Sequence, residues 1–282
     1  MKILLFGSEG NLGKEFSKKL KKKFDLTCID YHKERSKKKF INIDLSKKIV
    51  LKKIKKNDVG IILSFYKSQP SEFLKANKIA FNKINHKILD NCLKICKINK
   101  VKKIIYLSSA AIYADNLKIK KISENYPLKP KTIYGNFKLQ AEKKILQYGD
   151  RFNLDCINLR LFNYYTSNGN ILINNFKKQL KKNKIFINGD GNQSRDFLHI
   201  DDMLSAIEYF INNRVKSSTF NLCSGNGTKI KDIINALIKK GNIINYTNKN
   251  QSNFFLVGNN KKLKKLINWK IQKNFNKFIQ KL

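Results

Sequence analysis

Met1-Lys2-Ile3-Leu4-Leu5-Phe6-Gly7-Ser8-Glu9-Gly10-Asn11-Leu12-Gly13 is the stretch that decides the fold. Residues 2–6 form an apolar run of strand length. Residues 11–23 carry the apolar spacing of an amphipathic helix. Between them stand Gly7, Gly10 and Gly13. A strand that turns sharply into a helix needs a glycine at the turn. It needs another where backbone approaches a pyrophosphate, and a third where helix and strand pack closely. The first N–H groups of the helix, at Asn11, Leu12 and Gly13, are then open to phosphate oxygens. A second run, residues 26–30, ends in Asp30, about 20 residues on, where a carboxylate accepts from the hydroxyls of a ribose. Strand, glycines, helix, strand and acid in this order predict a dinucleotide site.

The same alternation continues. Residues 40–44, 59–65, 103–109 and 155–162 read as buried strands, and 75–99 and 134–149 as helices. In the first helix Ile79, Ile84, Ile88, Leu89, Cys92, Leu93 and Cys96 form the apolar side. Apolar runs separated by helices, without tight hairpins, predict a parallel sheet buried on both faces: an α/β, doubly wound Rossmann fold. Beyond residue 165 the pattern loosens, with helices expected near 170–182, 202–212 and 229–240. The expected division is a cofactor domain over 1–165, joined by elements near 196–222, and a smaller, irregular substrate lobe from 166–195 and 223–282.

The chain has 282 residues and a formal net charge of +39. Such a charge suits a polyanion partner. The excess is nearly all Lys, however, and is spread along the whole chain; Arg, the better fork for phosphate, is scarce. Compositional drift is the favoured reading, with no specific nucleic-acid partner. Five cysteines without a C-x-x-C pair fit a reducing compartment, and the cytoplasm is expected. No run approaches a membrane-spanning length, so no membrane insertion is expected. No metal-ligand spacing stands out.

Asp30 favours NAD, since a carboxylate repels a 2′-phosphate; His32, Lys33 and Arg35 follow closely and leave NADP open. Asp44, at the end of the third predicted strand, is expected near the adenine edge and also as a helix N-cap.

Tyr134-x-x-x-Lys138 opens a predicted helix, which sets both side chains on one face. In a chain this rich in Lys the spacing alone is common, with about two such pairs expected by chance. Its position decides. It follows the strand that ends in Ser108-Ser109, and ligands in such sheets bind beyond the carboxyl ends of strands. The residue types suit hydride chemistry at a sugar carbon. Tyr134 takes the hydroxyl proton, a nearby Lys138 ammonium favours the phenolate and holds the nicotinamide ribose, and Ser109 orients the substrate oxygen.

At this point the chain resembles the extended short-chain dehydrogenase/reductase family, in its nucleotide-sugar epimerase and 4-ketoreductase branch. The matching blocks are residues 7–13 (GSEGNLG), 101–115 (VKKIIYLSSAAIYAD), 134–143 (YGNFKLQAEK), 159–165 (LRLFNYY), 189–202 (GDGNQSRDFLHIDD), 220–228 (FNLCSGNGT) and 258–270 (GNNKKLKKLINWK). The resemblance implies Ser109, Tyr134 and Lys138 as the catalytic trio, and Asn163 and Arg195 as ligands of the substrate diphosphate. It implies a nucleotide-sugar substrate, surface-polysaccharide synthesis as the usual setting, and a homodimer through the helices over 75–99 and 134–149. Arg195 also admits a simple pair with Asp196. His199 is expected to pack, and Asp202 to cap a helix.

Departures from the pattern narrow the reaction. The family's 4,6-dehydratases carry Asp-Glu where this chain has Ala110-Ala111, which argues against dehydration. Ser64-Phe65-Tyr66 and Phe137 stand where small residues are usual. A second substrate Arg is missing around residues 250–253, with Lys249 a weak substitute. A 4-epimerase and a 4-keto-deoxysugar reductase, the latter favoured by the short chain and the tail from Phe254, both remain open. A non-catalytic, RNA-binding member of the fold is the reading from a different class, and the retained trio argues against it.

Overall fold

The computed structural model of the protein describes residues 1–31, 39–49, 56–65, 78–114, 121–239, 241–247 and 255–282. His32, Lys33, Arg35, Tyr66, Lys249, residues 250–253, Phe254 and the first residues of the helix expected from 75 lie outside these.

The elements follow the sequence reading closely. They are β1 (Lys2–Phe6), α1 (Asn11–Leu20), β2 (Asp25–Asp30), β3 (Phe40–Asn42), β4 (Val59–Ile62), α2 (Lys78–Ile98), β5 (Lys103–Ser109), α3 (Ile133–Phe152) and β6 (Asp155–Leu161). There follow β7 (Asn163–Tyr165), α4 (Ile171–Leu180), β8 (Lys184–Asn188), β9 (Ser194–His199), α5 (Ile200–Asn212), β10 (Ser218–Leu222), β11 (Gly227–Lys229), α6 (Ile230–Asn235), β12 (Ile243–Thr247), β13 (Phe255–Leu256), α7 (Lys261–Ile267) and α8 (Phe275–Ile279).

Seven strands form one sheet in the order β10-β6-β5-β4-β1-β2-β3. From β3 to β5 each neighbouring pair is parallel. The order reverses between β1 and β4, which is the switch point where doubly wound sheets hold ligands. Leu4, Phe6, Ile29, Ile62, Phe81, Leu89, Cys92, Ile104, Tyr106, Phe137 and Ile145 pack into one core from strands, α2 and α3. All five cysteines are buried thiols. Ile79 departs from the expected apolar side of α2, being 84% exposed at the first turn of the described helix. Its place on the inward face is taken by Phe81, which is buried.

One lysine belongs to the interior. Lys103 is buried and donates from Nζ to the carbonyl oxygens of Phe210, Ile211 and Asn213. It thereby satisfies the open end of α5, where a cation is favoured.

By contacts the chain divides into two units. One comprises Met1–Ile112, Pro130–Leu159 and Ile207–Thr219; the other Tyr113–Lys129, Arg160–Ala206 and Phe220–Leu282. Residues 113–129, 160–165, 196–206 and 220–222 therefore group with the second unit rather than with the cofactor domain as expected from sequence. In that unit β9 is flanked by β11 and β13 and also pairs with β7. Tyr165, Ile173, Phe176, Ile185, Phe197, Ile233 and Phe275 form its core.

Candidate active site

The glycine turn is built from backbone constraints. Gly7 has φ +82, and a Cβ there would stand 2.8 Å from the Ser64 nitrogen. A Cβ on Gly13 would stand 2.0 Å from the Gly7 carbonyl oxygen. Both positions exclude every other residue on internal grounds. Gly10 does not: its φ is −65, and a Cβ would meet only the Gly7 oxygen, at 3.6 Å. Nothing described in the protein requires a glycine there, so its lack of side chain leaves room for a ligand. No side chain caps the start of α1, and its first turn carries no acid. Asp30 ends β2 and braces the turn, accepting from the Glu9 nitrogen at 2.8 Å and from the Tyr31 nitrogen at 2.7 Å. Each oxygen keeps a second lone pair for a ribose hydroxyl. These residues fit a dinucleotide.

Asp44 lies just beyond β3. Among the described residues no helix begins there, so the expected N-cap is instead a local turn in which Asp44 accepts from the Ser46 nitrogen at 3.0 Å and from the Ser46 hydroxyl. Partial burial raises its carboxyl pKa, but the Ser46 hydrogen bonds and Lys47 hold it below the usual range.

Ser109, Tyr134 and Lys138 come together in the first unit. Ser109 ends β5, and its Oγ accepts from the Ala111 nitrogen at 3.2 Å in the single 3-10 turn of Ala110–Ile112. Thr132 caps α3 by accepting from the Gly135 nitrogen at 2.9 Å, which fixes the first turn holding Tyr134. Gly135 is required by proximity, since a Cβ would lie 2.3 Å from the Ala111 oxygen. Burial pushes the Tyr134 phenol above its ordinary range, and a hydrogen bond with Ser109 works in the opposite direction. Lys138 is buried and donates to the Leu107 oxygen at 2.7 Å. Burial brings its ammonium down to about 7, against the pull of the Glu142 carboxylate. The expected lowering of Tyr134 by Lys138 is thus not what the dry pocket produces: desolvation dominates both groups.

Phe65 packs edge-on against Tyr134 with centroids 4.9 Å apart, and against Phe137 at 5.9 Å. The two bulky residues noted in the sequence form one aromatic wall beside the tyrosine.

Asn163 and Arg195 lie in the second unit on adjacent strands. Asn163 donates from Nδ2 to the Asp196 carbonyl oxygen at 3.2 Å. Arg195 donates from Nη1 to the Ser194 oxygen at 3.1 Å. Burial lowers its pKa, yet a guanidinium keeps its charge at working pH. Successive strand residues face opposite ways. On the other face the Asp196 carboxylate takes the backbone N–H groups of Ser224, Gly225 and Gly258. Burial raises its pKa to about 6 against those hydrogen bonds.

His199 packs on Tyr165 with centroids 4.8 Å apart, as expected. Asp202 is a correction. It sits inside the first turn of α5 and accepts from the Gln272 and Lys273 nitrogens at 2.9 and 3.0 Å, fastening the C-terminal segment rather than capping a helix.

The sequence reading passed over Asp196 as a hub, the buried Arg160 and the buried Glu142. Arg160 donates to the Tyr113 hydroxyl and to the Glu124 carbonyl oxygen, each at 2.9 Å. Nothing in its local sequence sets it apart; the signal for Glu142 was its i+4 spacing from Lys138.

A family model described as the NAD dependent epimerase/dehydratase family matches residues 3–223. The chain belongs to this family. By its description the family is NAD-dependent. A putative UDP-glucose 4-epimerase of Methanocaldococcus jannaschii is 24% identical over 248 residues, covering 83% of this chain and 81% of that protein. The ADP-L-glycero-D-manno-heptose-6-epimerase of Brachyspira hyodysenteriae is 28% identical over 261 residues, covering 83% and 80%. Among solved structures, MoeE5 in complex with UDP-glucose and NAD has a TM-score of 0.84 at 18% identity, covering 99% of this chain and 96% of that one. That likeness concerns the fold. Among the described residues no helix is long and apolar enough to cross a membrane, and no group of three His, Cys, Asp or Glu residues is placed to hold a metal.

Proposed function

We propose that the protein is an NAD-dependent nucleotide-sugar 4-epimerase. The observation that carries this reading is the Tyr134 ring 5.8 Å from the ammonium of the buried Lys138 one helical turn on, on a helix packed against the strand that ends in Ser109. When bound, NAD would be held at the turn of Gly7, Gly10 and Gly13 and by Asp30, and it would supply a hydride acceptor for sugar C4 that can return the hydride. Ser109 orients the C4 oxygen through its hydroxyl. Tyr134 takes the O4 proton as C4 is oxidised and gives it back on reduction. The Lys138 ammonium stabilises the phenolate in the interval. Arg195 and Asn163 bind the substrate diphosphate, for which a guanidinium is the matching fork. Asp30 binds the adenosine ribose hydroxyls and disfavours a 2′-phosphate.

Ala110 and Ala111 support epimerisation over dehydration. Elimination of water needs an acid and a base beside the hexose, and neither methyl group supplies a proton or accepts one. The archaeal relative named as a putative UDP-glucose 4-epimerase supports the same reading. Two copies pair through α2 and α3 in the arrangement that the family resemblance implies.

The test is to incubate the protein with UDP-, dTDP-, CDP- and GDP-hexoses, with and without NAD(P)H, and identify products by mass spectrometry and NMR. Inversion at C4 without net NADH consumption is expected. One NADH consumed per product would replace epimerisation by reduction, and loss of water would overturn both.

A further inference from the structure

Tyr134, Lys138 and Glu142 follow one another at four-residue spacing along α3 and so share a face of the helix. The first two have roles above; Glu142 has none. Lys138 is 4% exposed and Glu142 3%. Lys and Glu are almost never buried to this extent unless paired.

The surroundings of the ammonium are aromatic. Lys138 Nζ lies 4.6 Å from the Tyr106 ring centroid, 5.6 Å from that of Phe65 and 5.8 Å from that of Tyr134. Ring faces attract a cation but do not replace its hydration. Burial accordingly drives Lys138 toward the neutral amine, and Glu142 is the group that opposes it. The other titratable groups of this cluster are Tyr134 on α3, Tyr106 on β5 and, interacting with Tyr106, Cys92 on α2. Burial pushes all three up, so they stay neutral at working pH. Among the described residues Glu142 is therefore the carboxylate that acts on this ammonium. The Glu142 carbonyl oxygen also accepts from Asn158 Nδ2 at 3.3 Å, which ties this turn of α3 to β6.

We propose that Glu142 is a positioning residue: its buried carboxylate, one turn beyond Lys138 on the same helix face, keeps the Lys138 side chain an ammonium beneath Tyr134. This rests on the reading of Lys138 as the cation of the site. A neutral amine there would leave the Tyr134 phenolate without its counter-charge, and Glu142 would thus act on the reaction through Lys138 without touching substrate.

The experiment follows the Lys138 side chain directly. In protein labelled with 13C at lysine Cε, a lysine titrating near neutrality stands apart from the rest, and Lys138→Arg identifies its signal. Glu142→Gln is expected to lower that midpoint by about one pH unit or more. The alkaline limb of turnover is expected to move down with it. An unchanged midpoint in folded Glu142→Gln overturns the proposal. If Glu142→Gln does not fold, the double variant Lys138→Met/Glu142→Gln decides. Recovery of folding supports the pair, because it removes an uncompensated buried charge. Failure of the double variant to fold makes Glu142 structural in its own right and overturns the proposal. The NMR midpoint is read whether or not any nucleotide sugar is turned over, so failure of the epimerase reading is distinguishable from failure of this one.

Discussion

Lys138 donates from Nζ to the carbonyl oxygen of Leu107 at 2.7 Å, which ties the ammonium of the candidate site to the strand that ends in Ser109. The tie holds a cation in a dry place, and the consequence is measurable as pH-dependent stability. The folded pKa of Lys138, about 7, lies below its ordinary 10.5. Between these values the unfolded chain binds more protons than the folded one, so this group makes stability rise with pH. Compared with Lys138→Met, the wild type is expected to gain about one to a few kcal/mol between pH 7 and 10. Urea unfolding across that range measures it, and parallel pH profiles for the two proteins would contradict the assignment.

Gly10 and Gly13 are both glycines for different reasons, and one substitution at each separates them. Gly13→Ala drives a methyl group into the Gly7 oxygen. It is expected to cost more than about 2 kcal/mol of stability and to abolish dinucleotide binding. Gly10→Ala meets no close protein atom. It is expected to fold with a Tm near that of wild type and to lose NAD affinity about tenfold or more, because the methyl group would occupy the space proposed for the pyrophosphate. Thermal unfolding and calorimetric titration with NAD measure the two effects.

Arg195 and Asp196 face opposite ways on β9, so the substrate role proposed for the first is separable from the structural role of the second. Arg195→Lys keeps the charge and loses the fork. A rise in KM for the nucleotide sugar of about tenfold or more, with unchanged Tm, is the expected outcome. Asp196→Asn places an amide against three backbone N–H donors. It is expected to destabilise the protein by about 2–4 kcal/mol whether or not substrate is present.

The exposed side chains of α2 and α3 include Lys83, Lys94, Lys97 and Lys143. Pairing two copies through these helices brings like charges together. The dimer fraction is therefore expected to rise between about 0.05 M and 0.5 M NaCl as the repulsion is screened. Sedimentation velocity at the two salt concentrations measures it, and a monomer at both removes the homodimer.

Much of this was legible in the chain because backbone requirements leave residue-type signatures. Gly7 and Gly13 mark a turn that no other residue can make, and β1, β2, β4 and β5 are apolar runs because both faces of the sheet are covered. That Ser109, Tyr134 and Lys138 lie close together was legible from their order along the chain. What stayed hidden is set by packing between distant segments. The Asp196 hub depends on three N–H groups up to 62 residues away, and Asp202 holds residues 272 and 273 through a contact that no local pattern announces. The direction of the Tyr134 shift was hidden for the same reason. Lys138 four residues away promised a lowered phenol, whereas the aromatic wall of Phe65, Phe137 and Tyr106 desolvates both groups.

The most direct measurement compares wild type with Tyr134→Phe, following C4 inversion of the nucleotide sugar identified from the panel alongside NAD affinity. The account predicts turnover reduced by at least about 10²-fold, with NAD bound as in wild type. Turnover at the wild-type rate in Tyr134→Phe would contradict it.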